Sequence, residues 1–139
     1  MTNNALTVVY SFLTAVQQGA FDKLGALLHP EVQWEQPGNN PLAGTKRSVK
    51  EVFEMVGGMF AITHNTLSLS AIKVLAVNGN KVACLLQWTS TQPAAHALNV
   101  NNIDVYTVDN GQIVHVTVFT EDPEQEDALW SLPAPAVFA

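Results

Sequence analysis

The sequence predicts an α+β fold in which a curved antiparallel sheet, with four long strands and a short one, wraps over three N-terminal helices. Apolar residues recur with helical spacing in the first part of the chain, whereas the second part alternates apolar and polar residues with period two. Asparagine and glycine stand together at two junctions between the alternating segments, as is typical of tight hairpins. The 139 residues fit one domain over positions 1–139.

Two helices are predicted before the first proline. Ala5–Gln17 places its apolar side chains near helical spacing, and Gly19 follows as a stop signal. A shorter helix covers Phe21–Leu28, because the residue before Pro30 is driven out of the α region. His29 is therefore interpreted as a helix-end residue.

A short strand and a third helix follow. Glu31–Gln36 alternates apolar and polar residues, and the turn-forming stretch Pro37–Pro41 ends the alternation. Ser48 has the features of an N-cap, and Glu51 is its capping-box partner. The sequence Gly57–Gly58 is expected to end or kink this helix.

The second half predicts a four-stranded antiparallel meander. Its strands are Thr63–Val77, Lys81–Gln92, Ala97–Val108 and Gln112–Thr120. The acidic stretch 121–127 that follows is interpreted as a solvated segment without a site. Trp130 is expected to cover apolar surface of its own subunit or of a neighbour.

Charge and composition exclude several partners. The six basic residues are scattered among twelve acidic ones, for a net charge of -6, so there is no basic patch for nucleic acid. No apolar run approaches the ~20 residues that span a bilayer and no basic n-region is present, so no membrane partner and a cytoplasmic location are expected. The low charged content of 13% predicts that a second copy covers part of the surface, as in a homodimer. The single cysteine, Cys84, is interpreted as a small buried hydrophobe.

Asp104 is the leading candidate for a catalytic residue. It lies in a run of alternating strand formers, although aspartate is depleted in strands and is rarely buried without a partner. Its expected inward neighbours are Leu86, Trp88, Tyr106 and Val116. These neighbours would desolvate the charged form of Asp104 and raise its pKa, which would make Asp104 a proton donor. The alternative is a structural aspartate that is paired with Asn102 or with a tyrosine hydroxyl.

Two tryptophans have two interpretations each. Trp88 and Trp34 either stack against a flat ligand or simply fill the core. Trp34 lies nearer the turn than Trp88 does.

The other titratable candidates are secondary. Glu35 would replace a missing base only if a bulge before Pro37 turned it inward, because alternation points it towards solvent. His64 opens a predicted strand and is the histidine to examine first, while His96 and His115 are expected to be structural. Histidine spacing gives no metal signal, and no glycine-rich loop follows a strand, so neither a metal nor a nucleotide cofactor is implied.

Two motifs carry a family resemblance. The first is W-x-x-P-G-x-x-P-L-A-G at Trp34–Gly44, after the first two predicted helices. The second is D-N-G-Q-I-V at 109–114 followed by F-T-E-D-P-E-Q-E-D-A-L-W at 119–130, where the predicted hairpin sheet closes. With this order of elements, the chain resembles the SnoaL-like branch of the nuclear transport factor 2 superfamily. That resemblance implies a cone-shaped fold, which hosts isomerases, cyclases, hydrolases, dehydratases and binding proteins.

Ketosteroid isomerase belongs to the same superfamily, and its catalytic positions can be compared with this sequence one by one. Its strand motif Ile-Asp resembles Ile103-Asp104, so the resemblance gives Asp104 the role of the protonated oxyanion-hole acid. The position of its catalytic base is occupied by Gln36, and its two tyrosine positions are occupied by Phe12 and Phe53. Steroid isomerisation by the standard mechanism is therefore not expected.

Two further relatives narrow the chemistry. The charged triad of limonene epoxide hydrolase is not reproduced, because Asn102 stands where that enzyme has an arginine. The SnoaL-type polyketide cyclases resemble the chain more closely, and there the family implies a single aspartate that acts as acid and base on an acidic carbon.

These observations predict a pocket for a hydrophobic carbonyl-bearing or polycyclic compound, with cyclase-like or isomerase-like proton transfer by Asp104. Gln36 and Asn102 would position polar atoms of the ligand. The expected binding residues are Phe12, Trp34, Gln36, Phe53, Leu86, Trp88, Asn102, Tyr106 and Val116. One alternative is a non-catalytic binding protein that lacks the isomerase base and tyrosines. Another is an assembly role through the open face of the sheet.

Overall fold

The computed structural model describes residues 4–134, which form four α-helices, a short 3-10 helix and one six-stranded sheet. The helices are α1 Asn4–Gln18, α2 Phe21–Leu27, α3 Val49–Ile62 and α4 Pro123–Trp130. The strands are β1 Leu28–Gln36, β2 Gly44–Lys46, β3 Ser68–Asn78, β4 Lys81–Thr89, β5 Asn99–Asp109 and β6 Gln112–Thr120. Among these residues, no helix is both long and apolar enough to cross a bilayer.

The sheet has the order β2-β1-β6-β5-β4-β3 and confirms the predicted α+β class. Strands β3 to β6 form the expected antiparallel meander, and β1 lies parallel to β6. Two register shifts between β3 and β4 bend this end of the sheet. Helix α1 packs against β3 to β6, while α3 packs against β1 and β2, so the helices cover the concave face.

Strand β1 is longer than the sequence predicted. It begins at Leu28, so His29 and Pro30 lie in the strand and not at the end of a helix. Proline is tolerated there because the pairing with β6 is irregular between Leu28 and Gln33, where no regular ladder needs its missing N–H. The His29 side chain instead accepts a hydrogen bond from the Glu31 backbone at 3.0 Å.

Helix α3 begins as predicted but does not end at the two glycines. Ser48 accepts a hydrogen bond from the backbone of Glu51 at 3.1 Å, as an N-cap does. The helix continues through Gly57–Gly58 to Ile62. Helix packing outweighs the low helix propensity of glycine, because the buried face extends on both sides of the pair.

The turns explain where the long strands begin and end. The predicted strand start at 63–67 is wrong, because His64 and Asn65 have φ angles of 53° and 61° and form a turn after α3. The hairpin predicted at Asn110–Gly111 is present as a two-residue loop with φ angles of 50° and 76°. These values match the type I′ turns that suit the twist of paired strands.

The acidic stretch 121–127 was predicted to be a solvated segment. Most of it instead lies in helix α4. Asp122 caps this helix by accepting a hydrogen bond from the Gln125 backbone at 3.0 Å. Its buried side chains are Glu126, Leu129 and Trp130. This spacing of three and four residues forms one stripe of a helix, which the surrounding acidic residues obscure in the sequence.

Candidate functional site

A cavity of about 90 Å³ lies between the concave face of the sheet and helices α1, α2, α3 and α4. Most of its lining is apolar. Phe21, which is 41% exposed, lines the cavity and packs edge to face on Phe60 at a ring distance of 5.4 Å. The lining of the cavity therefore reaches the protein surface at Phe21.

Most of the binding residues predicted from the sequence line this cavity. They are Phe12, Trp34, Gln36, Phe53, Trp88, Asn102, Asp104 and Tyr106. Leu86 and Val116, which were also predicted to bind, are fully buried in the core and are not among the residues that line the cavity. Val118 lines the cavity instead, since the register of β6 sets it beside Asp104.

Asp104 lines the cavity and is only 2% exposed. Its Oδ2 atom accepts a hydrogen bond from the hydroxyl group of Tyr106 at 2.9 Å. Its Oδ1 atom is buried and has no hydrogen-bond partner within residues 4–134. One oxygen is thus paired as in the structural alternative, while the other has no hydrogen-bond partner among the described residues.

The surroundings of Asp104 favour its neutral form. Burial raises the pKa of Asp104 from 3.8 to about 7; the hydrogen bond from Tyr106 opposes this rise, and the negative charge of Glu126 adds to it. Across the sheet, burial raises the pKa of Cys84 to about 12, so this residue remains a thiol. Burial and the charge of Asp104 also raise the pKa of Tyr106, which therefore remains a hydrogen-bond donor.

Three aromatic rings of the lining pack against one another, and one of them belongs to Tyr106, the hydrogen-bond partner of Asp104. The ring of Phe12 lies 6.2 Å from that of Trp34 and 5.8 Å from that of Tyr106, within the range of favourable aromatic pairs. The indole of Trp34 donates a hydrogen bond to the Gln36 side-chain oxygen at 3.0 Å. Gln36 is therefore anchored by a neighbouring residue and presents its amide at the cavity.

A second buried carboxylate, Glu126, joins the site from α4 and was missed in the sequence. It is 6% exposed, lines the cavity, and accepts a hydrogen bond from the indole of Trp130 at 3.2 Å. With the Asn102 amide oriented to satisfy its neighbours, its nitrogen donates to Glu126 Oε2 at 3.2 Å and to Thr120 Oγ1 at 3.2 Å. The helical stripe that Glu126 shares with Leu129 is the signal that could have identified it.

Contacts on both sides fix α4 over the cavity. The Gln125 side chain accepts from the backbone N–H of Asn99 at 2.7 Å and donates to its carbonyl at 3.2 Å. Asp127 Oδ1 accepts from the Asn39 backbone at 2.8 Å and from the Asn40 amide at 2.7 Å. Glu126 is therefore held between two anchored neighbours.

The remaining candidates lie elsewhere. On the outer face of the sheet, Glu35 Oε2 lies 2.7 Å from His115 Nε2 and accepts a hydrogen bond from Thr117 at 3.0 Å, so no bulge turns it inward. His64 is exposed in the turn after α3 and does not line the cavity. Within residues 4–134, no cluster of three histidine, cysteine, aspartate or glutamate side chains is arranged to hold a metal ion.

Three solved structures share this fold. A Xanthomonas campestris protein of unknown function with a cystatin-like fold is 32% identical, with a TM-score of 0.87, over 92% of this chain and 98% of that one. An NTF2-like protein of unknown function from Burkholderia pseudomallei K96243 is 20% identical, with a TM-score of 0.78, over 95% and 100%. TerC, co-crystallised with polyporic acid, is 13% identical, with a TM-score of 0.79, over 91% and 98%.

The family profile of the SnoaL-like domain matches residues 9–116, from α1 into β6. This range contains Asp104 and ends before α4, which carries Glu126. The match and the shared fold confirm the resemblance noted from the motifs. The chain belongs to the family of SnoaL-like domains.

Proposed function

We propose that the cavity binds a hydrophobic carbonyl-bearing or polycyclic small molecule, and that protonated Asp104 acts as an acid on a ligand oxygen in a cyclase-like or isomerase-like step. The observation that carries this proposal is the unpartnered, buried Oδ1 atom of Asp104, a residue that lines a mostly apolar cavity. A buried polar atom without a partner is costly unless a ligand or water satisfies it. A ligand carbonyl oxygen would accept a hydrogen bond from the protonated acid.

The lining supports a flat, apolar ligand. Phe12, Phe53, Trp34 and Trp88 supply aromatic surface, which makes large contacts at little cost in conformational entropy. TerC, which shares the fold, was co-crystallised with polyporic acid. Gln36 and Asn102 would orient polar atoms of the ligand by hydrogen bonding.

The rival function is binding without turnover. The absence of a carboxylate at position 36 and of tyrosine hydroxyls at Phe12 and Phe53 favours this rival, because the isomerase machinery is missing there. A general acid contributes about 10²- to 10⁴-fold, which is sufficient only for a carbon that is already acidic. The two functions therefore differ in whether a weakly acidic carbonyl compound is turned over.

Binding and proton transfer can be measured separately with 2-tetralone, a bicyclic ketone, and binding alone with polyporic acid. We expect both compounds to raise the melting temperature of the wild type, and the wild type to speed the exchange of the acidic C–H of 2-tetralone in deuterium oxide. Asp104→Asn keeps the shape of the side chain but cannot donate an acidic proton. It should retain binding and reduce the catalysed exchange by about 100-fold.

Two other outcomes would overturn parts of this proposal. Binding without exchange in both forms would establish the rival function. Exchange that is equally fast in the Asp104→Asn variant would remove Asp104 from the chemistry.

We further propose that the outer face of the sheet forms a homodimer. Four apolar residues lie side by side across this face, paired in register from β3 to β6: Val74, Leu85, Ile103 and Phe119. Three of them are 48% to 53% exposed, namely Val74, Ile103 and Phe119. A continuous exposed apolar row is typical of a contact surface.

A further inference from the structure

We propose that Glu126 is the general base of this site and removes a proton from the carbon beside the ligand's carbonyl group, while Asp104 serves the carbonyl oxygen. This inference rests on the proposed function. It supplies the base that is absent at position 36, and it does so from a different element, the C-terminal helix α4.

Two independent features place a base here. Glu126 is buried and lines the same cavity as Asp104, whose Oδ1 atom has no partner within residues 4–134 and whose pKa is raised by the charge of Glu126. Glu126 is also held by two N–H donors, from Trp130 and Asn102, which are complementary to a carboxylate. The site therefore offers an anchored acceptor beside an acid with a free oxygen.

The strand geometry sets the separation of the two groups. Asn102 and Asp104 project from the same face of β5, roughly 7 Å apart along the strand. Because Glu126 is hydrogen-bonded to Asn102, its carboxylate lies beside the Asn102 end of this interval. A carbonyl oxygen at Asp104 and its neighbouring C–H at Glu126 would fit into the space between them.

The step conserves atoms and electrons without any further reactant. The carboxylate of Glu126 takes the proton, and the pair of electrons from the broken C–H bond forms a carbon–carbon double bond. The former carbonyl π pair moves to oxygen, which takes the proton of Asp104 to give an enol. Return of a proton from Glu126 to the same or another carbon, and of the enol proton to Asp104, completes exchange or isomerisation.

The electrostatics of the pair suit this division of roles. Asp104 faces Tyr106 on its own strand, Cys84 on β4 and Glu126 on α4, and no cationic side chain lines the cavity within residues 4–134. With no cation nearby, the negative charge of Glu126 disfavours a second negative charge on Asp104, which suits Asp104 to the role of the acid. The negative charge of Glu126 indeed contributes to the raised pKa of Asp104.

Glu126→Gln tests the role of the base, with Glu124→Gln as a matched control. Glu124 lies two residues away on the same helix and is exposed. With 2-tetralone as the probe, we expect Glu126→Gln to lower the catalysed deuterium exchange by about 100-fold and to leave its thermal-shift binding intact. Glu124→Gln should match the wild type in both measurements.

A third variant separates catalysis from support of the fold. Glu126→Asp keeps the carboxylate but withdraws it by one methylene group, so we expect reduced exchange, with the rate still rising as the carboxylate ionises. If Glu126 served only to anchor Asn102 and Trp130, the rate of deuterium exchange in Glu126→Gln and Glu126→Asp would depend only on the fraction of protein that is folded. This comparison applies even if Glu126→Gln fails to fold.

The outcomes distinguish this inference from the proposed function. Exchange at the wild-type rate in folded Glu126→Gln, together with its loss in Asp104→Asn, would overturn the inference and leave the proposed function intact. No exchange by the wild type, with binding retained, would overturn both in favour of a binding protein.

Discussion

Asp104 links the stability of the protein to pH. A carboxyl group that is neutral when buried favours the folded state only while it keeps its proton. The folded protein holds this proton up to about pH 7, whereas the unfolded chain releases it near 3.8. The stability associated with the group is therefore complete below the unfolded value and is lost as pH rises through the folded one.

We predict that unfolding free energy falls by a few kcal/mol between pH 4 and pH 8 because of this group, since one pKa unit corresponds to about 1.4 kcal/mol. Asp104→Asn, which has no proton to lose, should flatten this part of the pH dependence. Urea unfolding at several pH values measures the difference. Asp109→Asn is the control, because Asp109 is exposed at the end of the same strand. Equal pH dependence in the wild type and Asp104→Asn would show that the carboxyl group is not buried.

The residues at the positions of the isomerase base and tyrosines could be identified from the sequence. The residue that we propose as the base instead, Glu126, could not. Gln36, Phe12 and Phe53 could be matched one by one to family positions, and each lines the cavity. Glu126 lies inside the second family motif, but the resemblance gave it no role, and it stands among acidic neighbours. Its burial depends on the packing of α4, which a charge pattern does not report.

Among the helices, α3 contains two glycines in very different surroundings. Gly57 is exposed, and a Cβ atom added there would meet nothing within 4 Å. A Cβ atom at Gly58 would lie 3.1 Å from the Leu42 side chain in the turn before β2. Only Gly58 therefore has a packing reason to be glycine.

We predict that Gly57→Ala stabilises the protein by about 0.5–1 kcal/mol, because alanine has the higher helix propensity and no contact opposes it. Gly58→Ala should gain less, because Leu42 must move. Denaturant unfolding of both variants tests the comparison. A loss of stability in Gly57→Ala would mean that α3 is interrupted at the glycines, as the sequence had suggested.

Helix α4 owes its place to contacts with distant parts of the chain. Gln125 binds the start of β5 and Asp127 binds the turn after β1, so the helix is fixed on both sides. Gly38 in that turn has a φ of +113°, and a Cβ atom there would lie 2.5 Å from Asp127 Oδ1. The turn motif identified in the sequence thus has a structural purpose, because it admits the anchor of α4.

The two faces of the whole sheet have different characters. Asp104 and Val118 pair in register on the concave face, while the next pair, Ile103 and Phe119, lies exposed on the outer face. A shift of one residue would exchange the faces and send the acid to solvent. The register of β5 therefore determines both the site and the proposed dimer contact.

We predict that Phe119→Glu shifts the protein from dimer to monomer, because each copy would bring a charge into an apolar interface. The molar mass in solution, measured by light scattering after size exclusion, gives the result. Tyr10→Glu is the control, since Tyr10 is 52% exposed on α1, away from this face. A dimer that persists in Phe119→Glu, or a monomeric wild type, would contradict the proposed contact.

By itself, the sequence determined the order of helices and hairpins and the inward position of Asp104. These features are local, because period-two alternation and the Asn110–Gly111 turn fix the register of neighbouring strands. Only the tertiary structure decided that Glu126 lines the same cavity as Asp104, and that Leu86 lies in the core and not in the lining. Such meetings depend on packing between segments far apart in the chain, and no short stretch of sequence contains that information.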